Sequence, residues 1–170
     1  MLRRFPVLVL GCVLASCATR PPSVSPPLRA PADQPLLLRA KAEGVLIYDC
    51  KMALEGSRWE WVLRGPEAEL RGDGGRVIGR HYAGPTWEAT DGSKVVGELA
   101  RRLPAPDAEA VPWLLLRAQT TEGDGLLGRV TWIQRVDTRG GQPPAQGCDG
   151  GQAGASLRVP YRATYYFYGR

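Results

Sequence analysis

Histidine is almost absent from this sequence, which contains only His81 and carries none of the common catalytic motifs. It lacks a phosphate-binding loop, a dinucleotide-binding fingerprint, a calcium loop and the Gly-x-Ser-x-Gly turn of many hydrolases. A metal site built on one histidine needs carboxylate partners, and the spacing of the sequence does not identify any. We therefore expect no metal and no cofactor, and the sequence leans away from an enzyme.

Long apolar runs and strong charge are lacking as well. The apolar run of residues 5–14 is too short for a membrane-spanning helix, which needs about 20 residues. Arginine and lysine number 22 against 17 acidic residues, a formal net charge of +5 that forms no basic stripe. We therefore expect no nucleic-acid partner. The 170 residues, of which 44% are apolar, predict one domain with a hydrophobic core.

The first sixteen residues have the layout of a secretory signal peptide, with a basic start, an apolar run and then small residues. The stretch Leu14-Ala15-Ser16-Cys17 resembles the bacterial lipobox, in which an aliphatic residue and two small ones precede a cysteine. In lipoproteins of this type the thiol is diacylated and the signal is cut immediately before the cysteine. The resemblance implies that residues 1–16 are removed and that Cys17 is the site of lipid attachment.

The lipid would make the membrane a partner of this protein. We expect an exported protein that is lipid-anchored to the cell envelope, because two or three acyl chains hold a protein stably at a bilayer. Ala18 is not the aspartate that retains some lipoproteins at the inner membrane, which favours the outer membrane facing the periplasm, or the cell surface. The alternative is an ordinary cleaved signal peptide in which Cys17 is coincidental.

Residues 17–43 predict a lipidated cysteine followed by a proline-rich linker. Six prolines and two serines lie between positions 18 and 35, where large apolar residues are few. Such a stretch cannot bury enough surface to fold, and proline biases it towards extended polyproline II. We expect a disordered tether that holds a domain away from the membrane. The alternative is a disordered N-terminal tail that does not act as a spacer, and it predicts the same boundary between linker and domain.

From residue 44 to residue 170 the pattern is that of an all-β domain. Short runs rich in β-branched and aromatic residues alternate with turn signals, and Trp59, Trp61 and Leu63 fall on one face by period-two alternation. The turn signals are Asp73-Gly74, Asp91-Gly92, Asp124-Gly125 and Gly140-Gly141. This regular spacing predicts a single antiparallel sandwich or barrel. Only residues 107–119 are compatible with a short helix.

Two of the four cysteines are available for a disulfide. Cys12 lies in the signal peptide and Cys17 is assigned to the lipid, which leaves Cys50 and Cys148. A pair of cysteines in an oxidising compartment predicts a disulfide, here one that closes a loop of about 100 residues. Two free thiols or a shared metal ion are the alternatives, but neither cysteine has a second metal ligand at short spacing.

A polar and aromatic group provides the candidate ligand-binding residues, which are His81, Trp87, Glu88 and Arg135. The anchor, the linker and the missing catalytic motifs favour a binding module for an envelope glycan, peptide or protein. A core histidine bonded to a backbone carbonyl and aromatics that only fill the core are the alternatives. A rival hypothesis is a hydrolase-like enzyme in which His81 works with Glu88 or Asp91. A third is an exported enzyme inhibitor.

Several segments carry a joint pattern that is specific to one family. They are Gly79–Glu88, Asp91–Gly97, Pro112–Leu116, Ile133–Gly141, Val159–Tyr161 and Tyr165–Tyr168. Together they resemble the exported family catalogued as domain of unknown function 3455, over roughly residues 40–168. Tyr48-x-Cys50 and the late Cys148 also fit the family pattern. The resemblance implies an exported, β-rich domain and brings no established activity, so no catalytic residue is carried over.

Overall fold

The computed structural model describes residues 20–54, 56 and 58–170, most of which form an eight-stranded antiparallel barrel. Each strand pairs with the next along the chain, and the last strand closes the sheet on the first. The strands are β1 (Leu36–Met52), β2 (Trp59–Arg71), β3 (Val77–Tyr82), β4 (Thr86–Ala89), β5 (Lys94–Leu103), β6 (Trp113–Glu122), β7 (Val130–Gly140) and β8 (Ser156–Gly169). The predicted all-β, single antiparallel domain is confirmed, in its barrel form. No helix in the described part of the chain has the length and hydrophobicity needed to cross a bilayer.

The three predicted Asp-Gly turns lie at the lower end of the barrel, which we define as the end where β1 begins, and Asp124-Gly125 lies there between β6 and β7. Asp73-Gly74 connects β2 to β3, and Asp91-Gly92 connects β4 to β5. Tight turns of this kind need a positive φ, which Gly75 (76°) and Gly92 (86°) adopt. The first two Asp-Gly pairs therefore mark two tight hairpins at the same end of the barrel.

The upper end of the barrel carries two long connections, residues 104–112 and 141–155. Cys50, near the end of β1, is bonded to Cys148 in the second connection. The predicted disulfide is therefore confirmed. The disulfide fixes the second connection to the barrel wall. This connection therefore has a defined position beside the upper mouth.

The barrel begins earlier in the chain than the sequence analysis placed it. β1 starts at Leu36, which corrects the predicted domain boundary at residue 44 and the linker that ended at residue 43. Residues 36–43 are paired with β8, from Leu36 opposite Tyr168 to Glu43 opposite Arg162. The side chains of these residues alternate between the two faces of the sheet, but none of the residues is β-branched. Their composition alone therefore does not predict a strand.

Residues 20–35 also differ from the expected disordered tether, because they pack along the outside of the barrel. Pro26–Leu28 form a short 3-10 turn, and the side chain of Leu28 is only 1% exposed. The Leu28 carbonyl accepts a hydrogen bond from the side-chain amide of Gln134 on β7. Prolines favour this packing because they reduce the conformational entropy that the segment loses on docking. Cys17 and the signal peptide lie outside the described residues.

β6 occupies much of the segment that is compatible with a helix in the sequence, residues 107–119. Leu116 faces the barrel core, whereas Leu115 is buried on the opposite side of the sheet. The N-terminal 3-10 turn contacts this outer side. Because both faces of the strand are sheltered, its sequence is a continuous apolar run that hides the period-two signal.

Candidate functional site

One row of paired residues runs through the inside of the barrel, from the upper mouth on β5 to the core at β8. Arg102 is opposite Leu114, which is opposite Arg135, which is opposite Tyr165. Directly paired residues point to the same side of a sheet, and Tyr165 is fully buried in the barrel core. Both arginines therefore point inward. Arg102 is exposed at the mouth, and Arg135 is half-buried.

The two arginines place positive charge at the mouth. Nε and Nη2 of Arg135 donate to the Pro112 carbonyl, at 3.2 and 2.8 Å. Burial raises the pKa of Tyr48 on the facing wall, and the charges of Arg135 and Arg102 act to lower it. No ion pair in the described part of the chain includes either arginine. The mouth therefore holds two cations that no carboxylate of the described chain neutralises.

Two tyrosine hydroxyls lie inside the barrel beside Arg135. Tyr161 is 2% exposed and Tyr165 is completely buried. Neither hydroxyl makes a hydrogen bond of good geometry in the described structure, although the two hydroxyls lie near each other, so that each shifts the pKa of the other, and Tyr165 lies near Arg135. Burial raises the pKa of both, while the Arg135 charge opposes the rise. Both are therefore neutral O–H groups able to donate to a ligand.

His81 and Trp87 extend this group deeper into the barrel. Their rings stack with centroids 4.3 Å apart, and the His81 ring meets the edge of Tyr165 at 5.2 Å. His81 Nδ1 lies 2.9 Å from the Thr86 carbonyl, which can only accept, so Nδ1 carries the proton. Burial lowers the pKa of His81 to about 3, against this hydrogen bond and with help from the Arg135 charge. The imidazole is neutral at physiological pH, and the buried indole N–H of Trp87 has no partner in the described structure.

Glu88 does not join the group, because alternation along β4 turns it to the outside of the barrel. Its carboxylate accepts hydrogen bonds from the Tyr82 hydroxyl at 2.8 Å and from Arg80 Nη2 at 2.9 Å. These two bonds hold the pKa of Glu88 below its usual value. Three of the four predicted ligand-binding residues thus face the barrel interior, and the fourth belongs to an outer ion pair.

Asp91 is equally separated from His81. It caps the lower turn, where it accepts hydrogen bonds from the Ser93 hydroxyl and the Leu126 amide, and these lower its pKa. The acid–base pairs that the hydrolase hypothesis requires, His81 with Glu88 or Asp91, are therefore not formed. Among the described residues, no group of three histidine, cysteine or acidic side chains is arranged to hold a metal ion.

A pocket of about 360 Å³ opens at the upper end beside this polar group. Arg102 and Pro112 line it, and Pro112 is the residue whose carbonyl binds Arg135. Asp107 lines it as well, but its carboxylate is engaged by Arg139 at 3.4 Å. The volume is within the range of small-molecule sites, roughly 300–1,000 Å³. The pocket gives a ligand room beside Arg102, and Arg135 adjoins it through the hydrogen bond to Pro112 rather than lining it.

Comparison with known proteins gives a family and no function. The model of a family described as "Protein of unknown function (DUF3455)" matches residues 31–169. The chain belongs to the DUF3455 family. No curated protein and no solved structure shows a significant match. The match spans the whole barrel of the DUF3455 domain and the last five residues before it.

The polar group of this DUF3455 domain, hereafter the mouth cluster, contains more residues than the sequence analysis selected. Its members are Tyr48, His81, Trp87, Arg102, Arg135, Tyr161 and Tyr165. Alternation along the last strand puts Tyr161 and Tyr165 on one face, and this signal was available in the sequence. Arg102 and Tyr48 join the cluster only because the barrel closes, which the sequence does not specify.

Proposed function

We propose that this DUF3455 domain is a lipid-anchored binding module of the cell envelope, which takes a ligand into the upper mouth of its barrel. The ligand is a small molecule or a group projecting from a glycan, peptide or protein of the envelope. Eight-stranded barrels are wide enough to be filled by side chains or to hold one small ligand. The mouth cluster supplies the contacts.

The observation that carries this proposal is the set of unpartnered buried donors. Burying a polar group without a hydrogen bond costs about 1–3 kcal/mol, and the large majority of buried polar groups in proteins are bonded. Tyr161, Tyr165 and Trp87 each bury a donor of this kind on the inner side of one barrel. A ligand with acceptor atoms would satisfy donors that the protein leaves unbonded.

The proposed lipid anchor determines where in the envelope the domain meets its ligand. If Cys17 is lipidated, two residues separate it from Arg20, the first described residue, and the three residue steps span at most about 10 Å. Since the following residues pack on the barrel rather than forming a long spacer, the barrel would lie close to the bilayer surface. This favours a ligand in the envelope near the membrane.

Ligand capture tests the proposal. The full chain is purified from bacterial membranes in detergent, incubated with an extract of the native envelope and washed, and bound compounds are identified by mass spectrometry after denaturation. The double variant Tyr161→Phe, Tyr165→Phe removes only the two hydroxyls. The matched control is Tyr82→Phe, whose hydroxyl lies on the outer face and bonds Glu88.

We expect a compound that is captured by the wild type and by the Tyr82→Phe control but is strongly reduced with the double variant. Equal capture by all three proteins would place binding elsewhere and contradict the mouth as the site. Capture of no compound by the wild type would overturn the binding function itself.

A further inference from the structure

The charge at the upper mouth has an unusual imbalance. Two guanidinium groups, those of Arg102 and Arg135, face the inside of the barrel or its mouth. By contrast, many outward-facing arginines of the barrel wall are paired with acids, for example Arg158 with Glu67. Two cations without an ion pair thus lie at the end of the barrel where Trp87, Tyr161 and Tyr165 bury donors with no hydrogen bond.

The donors that remain on Arg135 are suited to a negatively charged group. A guanidinium has five N–H donors in a planar fork, and the Pro112 carbonyl engages Arg135 only through Nε and Nη2. Charge-assisted hydrogen bonds are about twice as strong as neutral ones, most of all where water is excluded. An acceptor placed beside Arg135 also lies near the Tyr161 and Tyr165 hydroxyls.

The chemistry of the cluster disfavours a cationic ligand. Its ionised members are Arg102 and Arg135, while the tyrosines are protonated and His81 is neutral. Asp107, at the edge of the pocket, is neutralised by Arg139. A cation would therefore meet two like charges and no counter-charge, whereas an anion meets two opposite charges and several O–H and N–H donors.

We infer that the ligand of the mouth cluster carries a carboxylate or a similar small anionic group, held between Arg102 and Arg135 and hydrogen-bonded by the buried tyrosines. This inference rests on the proposed function, because it names the ligand class of that same site.

Matched pairs of compounds test the charge directly. Binding of benzoate and benzamide, and of hexanoate and hexanamide, to the full chain is measured by titration calorimetry. The variants are Arg135→Gln, which keeps a donor for the Pro112 carbonyl, and Arg102→Gln at the exposed mouth. The matched control is Arg101→Gln, a neighbouring exposed arginine whose Nη1 bonds the Ala100 carbonyl.

We expect each carboxylate to bind at least about tenfold more tightly than its amide, and this preference to fall about tenfold in Arg135→Gln and measurably in Arg102→Gln. The Arg101→Gln control should bind like the wild type. Amides that bind as well as carboxylates would overturn the inferred ligand class.

If no compound of the panel binds, the ligand class is tested by the charge of the compound that is captured from the envelope extract. A captured anion that Arg135→Gln no longer retains supports the inference. A captured neutral or cationic compound that is lost in the Tyr161→Phe, Tyr165→Phe variant overturns the ligand class and leaves the binding function standing. Failure to capture any compound overturns the binding function and the inference with it.

Discussion

His81 stacks face to face on Trp87, with 4.3 Å between the ring centroids and 5° between the ring planes. The pair is enclosed by the barrel, so His81 is a neutral core residue although it is the only histidine of the sequence. Its ordinary pKa of 6.5 falls to about 3 on folding, mainly because burial disfavours the charged imidazolium.

The first prediction concerns pH. Between pH 6.5 and 3 the unfolded chain protonates His81 and the folded chain does not, so stability is full above pH 6.5 and falls as the pH drops through this window. At pH 5 the loss from this one group is about 2 kcal/mol. Urea unfolding at pH 7.5 and pH 5 measures it.

The variant His81→Gln provides the control for this prediction. It should be less stable than the wild type at pH 7.5, because it loses the stacked ring, but its stability should change much less between pH 7.5 and pH 5. An identical pH dependence in the variant and the wild type would show that His81 is not the titrating group.

The second prediction separates ligand binding from stability. Tyr165→Phe removes a buried hydroxyl that has no partner in the described structure, so it should leave the protein as stable as the wild type or stabilise it by about 1 kcal/mol. Tyr48→Phe removes a hydroxyl that donates to the Gly141 carbonyl at 2.7 Å and should destabilise by about 1–2 kcal/mol. Thermal unfolding of both variants checks the contrast, and a clear loss of stability in Tyr165→Phe would contradict it.

Much of the fold is predictable from the sequence because it depends on local rules. The Asp-Gly turns at Asp73 and Asp91 need a positive φ nearby, and the disulfide follows from assigning two of the four cysteines to the N-terminal signal and lipid. Closure into a barrel depends on pairing between β1 and β8, more than 100 positions apart, for which no local signal exists. The choice between a sandwich and a barrel was therefore open.

The candidate site was predicted in part, for related reasons. Trp87 and Arg135 face the barrel interior, as members of one group must, whereas Glu88 follows Trp87 directly and so points to the opposite face of β4. Docking of residues 20–35 was missed because proline content indicates only that a segment has few backbone hydrogen bonds. Proline content does not indicate that the side chain of Leu28 is buried against the barrel.

The third prediction concerns the disulfide. Replacing both Cys50 and Cys148 by alanine frees the connection of residues 141–155 and should lower the free energy of unfolding by about 3–4 kcal/mol, since the bond closes a loop spanning 98 positions. Hydrogen exchange in the middle of this connection should rise, because its two ends stay bonded to Tyr48 and to the Cys50 backbone, whereas the middle keeps the Trp61 indole bond to the Gln146 carbonyl. Reduced wild type is the control and should behave like the variant. Unchanged stability and exchange would mean that the bond does not hold the connection.

The fourth prediction tests the docked N-terminal segment. Leu28→Ala leaves a cavity where a side chain is 1% exposed, so it should lower the free energy of unfolding by about 2–4 kcal/mol. Leu126→Ala, at a position that is 41% exposed, is the matched control and should change it by less than about 0.5 kcal/mol. Equally small effects at the two positions would mean that the segment does not pack on the barrel in solution.

The fifth prediction concerns Cys17, on which the proposed location of the protein depends. A serine cannot form the thioether to the diacyl group, so Cys17→Ser should abolish incorporation of radiolabelled palmitate and release the protein from the membrane fraction. Cys12→Ser is the matched control, because it alters a cysteine within the predicted signal peptide and should keep both labelling and fractionation. Palmitate labelling that persists in Cys17→Ser would refute lipidation at this residue. In that case the barrel is not held at the bilayer by Cys17, and its ligand need not be a molecule found near the membrane.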